Sequence, residues 1–167
     1  MSPTGLLMNT VDVPGGGRIG LHRCPGANGH LRGDLHWLAA TPAQLMLTLI
    51  TSEELHAMGL SDFFDQAQGA GLECHHLPIS DMHTPDIGFA TKWNQFIGQA
   101  RERLANNELV LMHCRAGIGR AGTMAATLLV DAGVAPADAI KRVRQARPGA
   151  LETREQESWV LALGKDR

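Results

Sequence analysis

Three short apolar runs, at 44–50, 73–78 and 109–113, are separated by stretches that carry helix signals. Runs of this length, bounded by proline, glycine or cap residues, fit strands covered on both faces. Strands that alternate with helices pair in parallel, because each crossover must return the chain to the same edge. The helix signals fall at 31–39, 52–58, 62–69, 88–106, 120–132, 136–147 and 152–164. Thr51 and Glu54 have capping-box spacing ahead of the second, and Pro136 suits the first turn of the sixth. Gly15-Gly16-Gly17 and Pro25-Gly26 mark turns around an extended piece at 18–21. The expected fold is a three-layer α/β domain, with a mostly parallel sheet of about four or five strands flanked by helices. With no repeat and no linker-like stretch, the 167 residues read as one domain spanning 1–167.

The chemistry concentrates in His113-Cys114-Arg115-Ala116-Gly117-Ile118-Gly119-Arg120, between an apolar strand and a helix. Loops at the carboxyl ends of parallel strands are where such sheets bind ligands. Two glycines allow successive N–H groups to turn inward as an anion nest, and the following helix adds its positive end. Both favour the thiolate of a cysteine placed at the start of the loop. Arg120 closes the ring with a planar fork suited to two phosphoryl oxygens. No Gly-Lys-[Ser/Thr] follows, so this is not a nucleotide-binding loop. Arg115, Ala116, Gly117, Ile118 and Gly119 would surround the phosphate, with His113 in a supporting role. The bland alternative for Cys114 is an inert cysteine at a strand end.

The pattern His113-Cys114-x5-Arg120, within HCRAGIGRAGT at 113–123, resembles the active-site loop of the cysteine-dependent protein tyrosine and dual-specificity phosphatases. His75-His76-Leu77-Pro78-Ile79-Ser80-Asp81 with Thr84-Pro85-Asp86 is similar to the general-acid loop of their kinase-associated phosphatase-like group. GRIGLHRCPG at 17–26 is similar to that group's N-terminal hairpin. The resemblance implies a phosphoprotein phosphatase acting on phosphotyrosine, with phosphoserine or phosphothreonine also admitted, through a phosphocysteine intermediate. In that reading Cys114 is the nucleophile, Arg120 the clamp and Asp81 the general acid. Asp86 is the competitor for the acid role, although its place before a helix suits a cap.

The family usually has Ser or Thr directly after the arginine, where a hydroxyl helps the sulfur depart; here the residue is Ala121. Thr123 lies about 200° further round the helix and does not replace it. The expectation is either a slow second step or a phosphate- or phosphopeptide-binding module with little turnover. A sulfur-transfer or arsenate-reducing enzyme is the other alternative for a cysteine in an anion nest. Gln156 is expected to be an exposed helix residue rather than a water-positioning one. Cys74 precedes the acid loop on a strand expected beside that of Cys114, which offers a reversible disulfide, with a small core residue as the plainer reading.

A formal net charge of -2 gives no basic field for nucleic acid or an anionic membrane. Residues 1–5 lack the charged start and apolar stretch of a leader, and Cys24, Cys74 and Cys114 are too scattered for a disulfide framework. A cytoplasmic location follows as the expectation. His75 and His76 are neighbours in a strand and point to opposite faces, so no metal site is expected, and no cofactor. The partner is a phosphorylated protein or small phosphate ester.

Overall fold

The structure, a computed structural model, describes residues 1–165; the last two positions of the 1–167 span lie outside the described residues. In chain order the elements are β1 (Met8–Asp12), β2 (Arg18–His22), α1 (Leu31–Ala39), β3 (Leu45–Thr48), α2 (Ser52–Ala57), α3 (Phe63–Gly69), β4 (Glu73–His76), α4 (Phe89–Ala105), β5 (Leu109–His113), α5 (Gly119–Asp131), α6 (Pro136–Ala146) and α7 (Arg154–Ala162). The strands form one five-stranded sheet in the order β1-β2-β5-β3-β4. Only the β1–β2 pair is antiparallel; β2–β5, β5–β3 and β3–β4 are parallel.

Helices cover both faces, giving the three layers expected. On β5, Leu109 and Leu111 face α1–α3 and pack with Leu35, Leu38, Leu55 and Phe63. The alternate residues Val110 and Met112 face α4–α7 and pack with Phe96, Leu128, Val143 and Val160. A strand buried on both sides reads as an unbroken apolar run, which is why this one is plain in the sequence. β5 is the middle strand, so its carboxyl end opens at the centre of the sheet edge. From there α5 runs straight back through the protein, with every residue from Gly119 to Val130 buried.

Two differences from expectation have physical causes. The N-terminal hairpin comprises 8–22, and its first strand carried no sequence signal: within Met8–Asp12 only Val11 is buried, as befits an edge strand. β4 ends at His76, where Pro78 removes a donor, yet Leu77 N–H still reaches the Thr48 carbonyl (3.0 Å) and Ile79 N–H the Leu49 carbonyl (3.0 Å). The pairing beyond the strand carries the chain at 79–81 toward the end of β5. No described helix is long and apolar enough to cross a membrane.

Candidate active site

Cys114 leaves the end of β5 almost fully buried, and its Sγ accepts the Gly117 N–H at 3.3 Å. For that N–H to point inward, the loop carbonyls must turn away. The Arg115 carbonyl accepts Cys24 N–H (3.0 Å), and the Ile118 carbonyl accepts Leu151 N–H (3.3 Å) and Gly122 N–H (3.1 Å). Gly117 has φ +72°, and a Cβ there would collide with the His22 carbonyl; a Cβ on Gly119 would collide with the Glu152 carboxylate. Gly117 is therefore a structural requirement of the loop, whereas at Gly119 it is the side-chain ends of Glu152 and Gln156 that would have to move. Arg115 and Ala116 are exposed and Ile118 half-exposed, so their side chains form the rim while the backbone forms the floor.

Arg120 is the largest fully buried side chain among the described residues. Its Nη1 donates to Glu54 Oε2 (2.6 Å) and the Ile79 carbonyl (2.8 Å), and Nη2 donates to Glu54 Oε1 (2.8 Å). Asp81 Oδ1 lies 3.1 Å from the same Nη2. Nε is buried without a hydrogen-bond partner among the described residues. A buried donor without a partner is unfavourable, so Nε is the guanidinium nitrogen left to receive an acceptor. Burial opposes ionisation of Glu54, but the hydrogen bonds from Arg120 and Thr51 outweigh it and hold its carboxyl below the usual range. Glu54 thus does two things: it closes the capping box of α2 by accepting Thr51 N–H at 3.0 Å, and it holds the arginine.

Of the two candidate acids, Asp81 is the one the fold brings to Arg120. It is exposed, and its Oδ1 also accepts the N–H of Met82, which takes the left-handed φ of 65°. Asp86 lines a groove of about 440 Å³ together with Glu53, Ile79, Ser80 and His83, and no ion pair with Arg120 is found for it among the described residues. Nor does Asp86 cap α4: the N-cap is Gly88, without a side-chain hydrogen bond. The two acids are separated by the turn at Met82, which lets only the first fold back over the sheet edge.

Beneath the loop, His113 and His22 stack with ring centroids 5.4 Å apart. His113 Nδ1 lies 3.2 Å from the Cys114 carbonyl, which can only accept, so Nδ1 carries the proton and Nε2 accepts from Thr48 Oγ1 at 3.0 Å. Burial keeps both rings neutral, lowering His22 from 6.5 to about 4 and His113 well below 6.5. An unfolded chain binds these protons below about pH 6.5 and the folded one does not, so stability is full above that pH and falls as the solution is acidified. For His22 alone the drop to about 4 corresponds to about 3 kcal/mol. Urea midpoints are therefore expected to fall between pH 6.5 and 5, before most carboxylates titrate, and His22→Asn should flatten that slope. A midpoint flat over the interval would refute the neutral pair. Burial, and then the charge of Cys114, pushes Cys24 up to about 12; burial pushes Cys74 to about 12 as well.

A family model described as PTP-SAK, Swiss Army Knife protein, DSP-PTPase phosphatase domain, matches residues 25–160. The chain belongs to the dual-specificity phosphatase superfamily. Within it the chain is similar to the kinase-associated phosphatase-like group. Cyclin-dependent kinase inhibitor 3 of Rattus norvegicus is 31% identical over 134 residues, which are 78% of this chain and 62% of the relative. Protein tyrosine phosphatase type IVA 3 of Homo sapiens is 32% identical over 78 residues, 47% of this chain and 44% of the relative. The chain thus spans about three fifths of the length of the first of these curated relatives. A crystal structure of kinase associated phosphatase, its catalytic-site cysteine replaced by serine, superposes with a TM-score of 0.85 at 24% identity, covering 96% of this chain and 95% of that one. Tk-PTP in its active form gives 0.75 at 28% identity, covering 100% and 99%. Membership of this superfamily favours phosphate-ester chemistry over the sulfur-transfer and arsenate-reducing alternatives.

Around this phosphatase loop several residues differ from the sequence reading. Gln156 is fully buried, not exposed. It is the third residue of α7, where a capping box turns its amide inward: Oε1 accepts Glu152 N–H (2.8 Å) and Thr153 N–H (3.2 Å), and Nε2 donates to the His83 carbonyl of the acid loop (3.3 Å). Cys74 is on β4, and β3 lies between it and the strand of Cys114, so the disulfide reading fails on topology. The Thr123 hydroxyl donates to the Gly119 carbonyl at 2.7 Å, one turn back along α5, and Ala121 is buried. Trp37, Trp93 and Trp159 pack against the two cores. Sequence reasoning overlooked Glu54 as an arginine holder because its capping-box spacing already accounted for it. It overlooked Arg147 entirely, since a lone arginine at a helix end carries no signal.

Proposed function

We propose that this chain hydrolyses phosphate monoesters on proteins through a phosphocysteine, with Cys114 as nucleophile, Arg120 and the 115–119 amides as oxyanion holders, and Asp81 as acid and then base. The observation that carries this reading is the Arg120 guanidinium. Its two Nη groups are fixed by Glu54, the Ile79 carbonyl and Asp81, while Nε remains a buried donor without a partner at the same loop as Cys114. In the first step the sulfur attacks phosphorus, the bond to the leaving oxygen breaks, and Asp81 gives that oxygen its proton. In the second, water attacks phosphorus, Asp81 takes its proton, and the S–P bond breaks to return thiolate and phosphate. The scheme uses no metal or organic cofactor.

Two features support a protein rather than a polyphosphorylated lipid as substrate. The acid-loop side of the site exposes Glu53, Asp86 and Glu155, and the 115–119 rim carries Arg115 as its sole charged side chain. Neither suits a second and third phosphate. We read the residues 1–167 as one phosphatase domain of the cytoplasm, where a nucleophilic thiol stays reduced. Nucleic acid and membrane surfaces are not its partners in this reading, given the net charge of -2.

Ala121 offers no hydroxyl to the departing sulfur, and that of Thr123 is already given to Gly119. The second step is therefore the slow one. Rapid mixing with p-nitrophenyl phosphate is expected to release about one equivalent of nitrophenol in a burst, followed by a slower steady rate that Ala121→Ser raises about tenfold. Asp81→Asn should lower kcat about 10²-fold or more, and Asp86→Asn less than about twofold. Bound phosphate with no nitrophenol at all is what the alternative, a binding module with little turnover, would give.

A further inference from the structure

We propose that Arg147, held by Asn9, is a positioning residue of the cysteine loop, which turns the Ala116 and Gly117 carbonyls outward and supplies a half-buried positive charge, without a carboxylate partner, that favours the thiolate of Cys114. The first half rests on geometry. Arg147 Nη2 donates to the Ala116 carbonyl at 2.8 Å and Nε to the Gly117 carbonyl at 3.0 Å, so one planar fork grips two successive peptides at the crest of the loop. Nη1 donates to Asn9 Oδ1 on β1 at 2.7 Å, which fixes the plane of the fork from the edge of the sheet. With these carbonyls held outside, Gly117 N–H points at Sγ. Arg147 also ends α6 in an extended conformation and precedes Pro148, so its backbone is stiff where the side chain sets out.

The second half rests on a count of charges. Arg120 is the cation nearest in purpose, but it faces two carboxylates, Glu54 and Asp81, so that trio is net negative. His113 and His22 are held neutral, and Cys24 is held as a thiol. Arg147 makes no ion pair with any carboxylate among the described residues, since its three partners are neutral oxygens. Burial lowers its affinity for its own proton, and the charge of Cys114 is what opposes that. A half-buried guanidinium with no counter-charge is stabilised by an anion at the loop, and the dependence is mutual. The Cys114 sulfur, against the Gly117 N–H, is the group in the loop placed to carry that charge.

The catalytic consequence rests on the phosphatase reading; the effect on the thiol does not. The rate of Cys114 alkylation by iodoacetamide, mapped by peptide mass to separate it from Cys24 and Cys74, would be followed from pH 5 to 9 alongside kcat and KM for p-nitrophenyl phosphate. Arg147→Met is expected to lower the alkylation rate at pH 6 about tenfold, moving the midpoint upward, and to reduce kcat/KM about 10- to 100-fold. Arg147→Lys should keep most of the midpoint, because the charge stays, yet leave kcat/KM low, because an ammonium cannot grip both carbonyls. A purely structural role would lower activity in both variants without moving the midpoint. A folded Arg147→Met protein whose alkylation profile superposes on that of the parent would overturn the proposal. Should that variant not fold, Asn9→Ala decides: a smaller upward shift sustains the proposal and an unchanged midpoint ends it. If the parent protein hydrolyses nothing while the midpoint still moves, the phosphatase reading fails and Arg147 keeps its role. Hydrolysis with superposed profiles means the reverse.

Discussion

Cys114→Ser is expected to reduce phosphate release from p-nitrophenyl phosphate by about 10⁴-fold or more while leaving phosphate binding intact. A serine hydroxyl needs a base to become a nucleophile, and among the described residues no base is hydrogen-bonded to the position of Sγ. The group against Sγ is the Gly117 N–H, a donor. The neighbouring imidazole of His113 has both nitrogens engaged, one with the Cys114 carbonyl and one with Thr48, and burial holds it neutral. The oxyanion holders do not depend on sulfur, because Arg120 is fixed by Glu54 and the Ile79 carbonyl. Removing a negative charge from beside the bound anion should make phosphate binding equal or tighter by calorimetry. Residual turnover by the serine variant would assign the chemistry to another residue.

Arg120→Lys is expected to lower kcat/KM about 10³-fold, since an ammonium lacks the in-plane Nε donor and cannot hold Glu54 through two nitrogens at once. Arg120→Met should in addition destabilise the fold by about 3–5 kcal/mol in urea, because it leaves Glu54 half-buried without its counter-charge. The Glu54 side chain is only 17% exposed, so water recovers little of what the arginine supplied. Adding Glu54→Gln to Arg120→Met should restore much of the stability and none of the activity. Were the double variant no more stable than the single one, the arginine would owe its importance to packing rather than to the ion pair.

Much of this architecture is written in local signals. The strand at 109–113 is an uninterrupted apolar run because helices cover both its faces, and the loop that follows has its glycines where a side chain would strike His22 or Glu152. The capping box of α2 obeys a spacing rule that needs no tertiary knowledge, while the same spacing at Thr153 and Gln156 of α7 escapes the sequence reading. What stayed hidden depends on contacts far apart in the chain. Gln156 reads as a surface residue until the acid loop is known to lie above it, and Cys74 reads as a neighbour of Cys114 until β3 is inserted between their strands. Arg147 meets Asn9 across 138 positions of sequence, and no local pattern marks either one. β1, with a single buried side chain, is a strand only because β2 offers it an edge.

The carboxylate of Glu54 closes the first turn of α2 through Thr51 and grips Arg120 through both oxygens. Fraying of that turn and loosening of the arginine are consequently one event, governed by one equilibrium. An anion that tightens the arginine also tightens a six-residue helix too short to hold itself together, and a partner that tugs on the helix from the surface reaches the centre of the site through a single side chain.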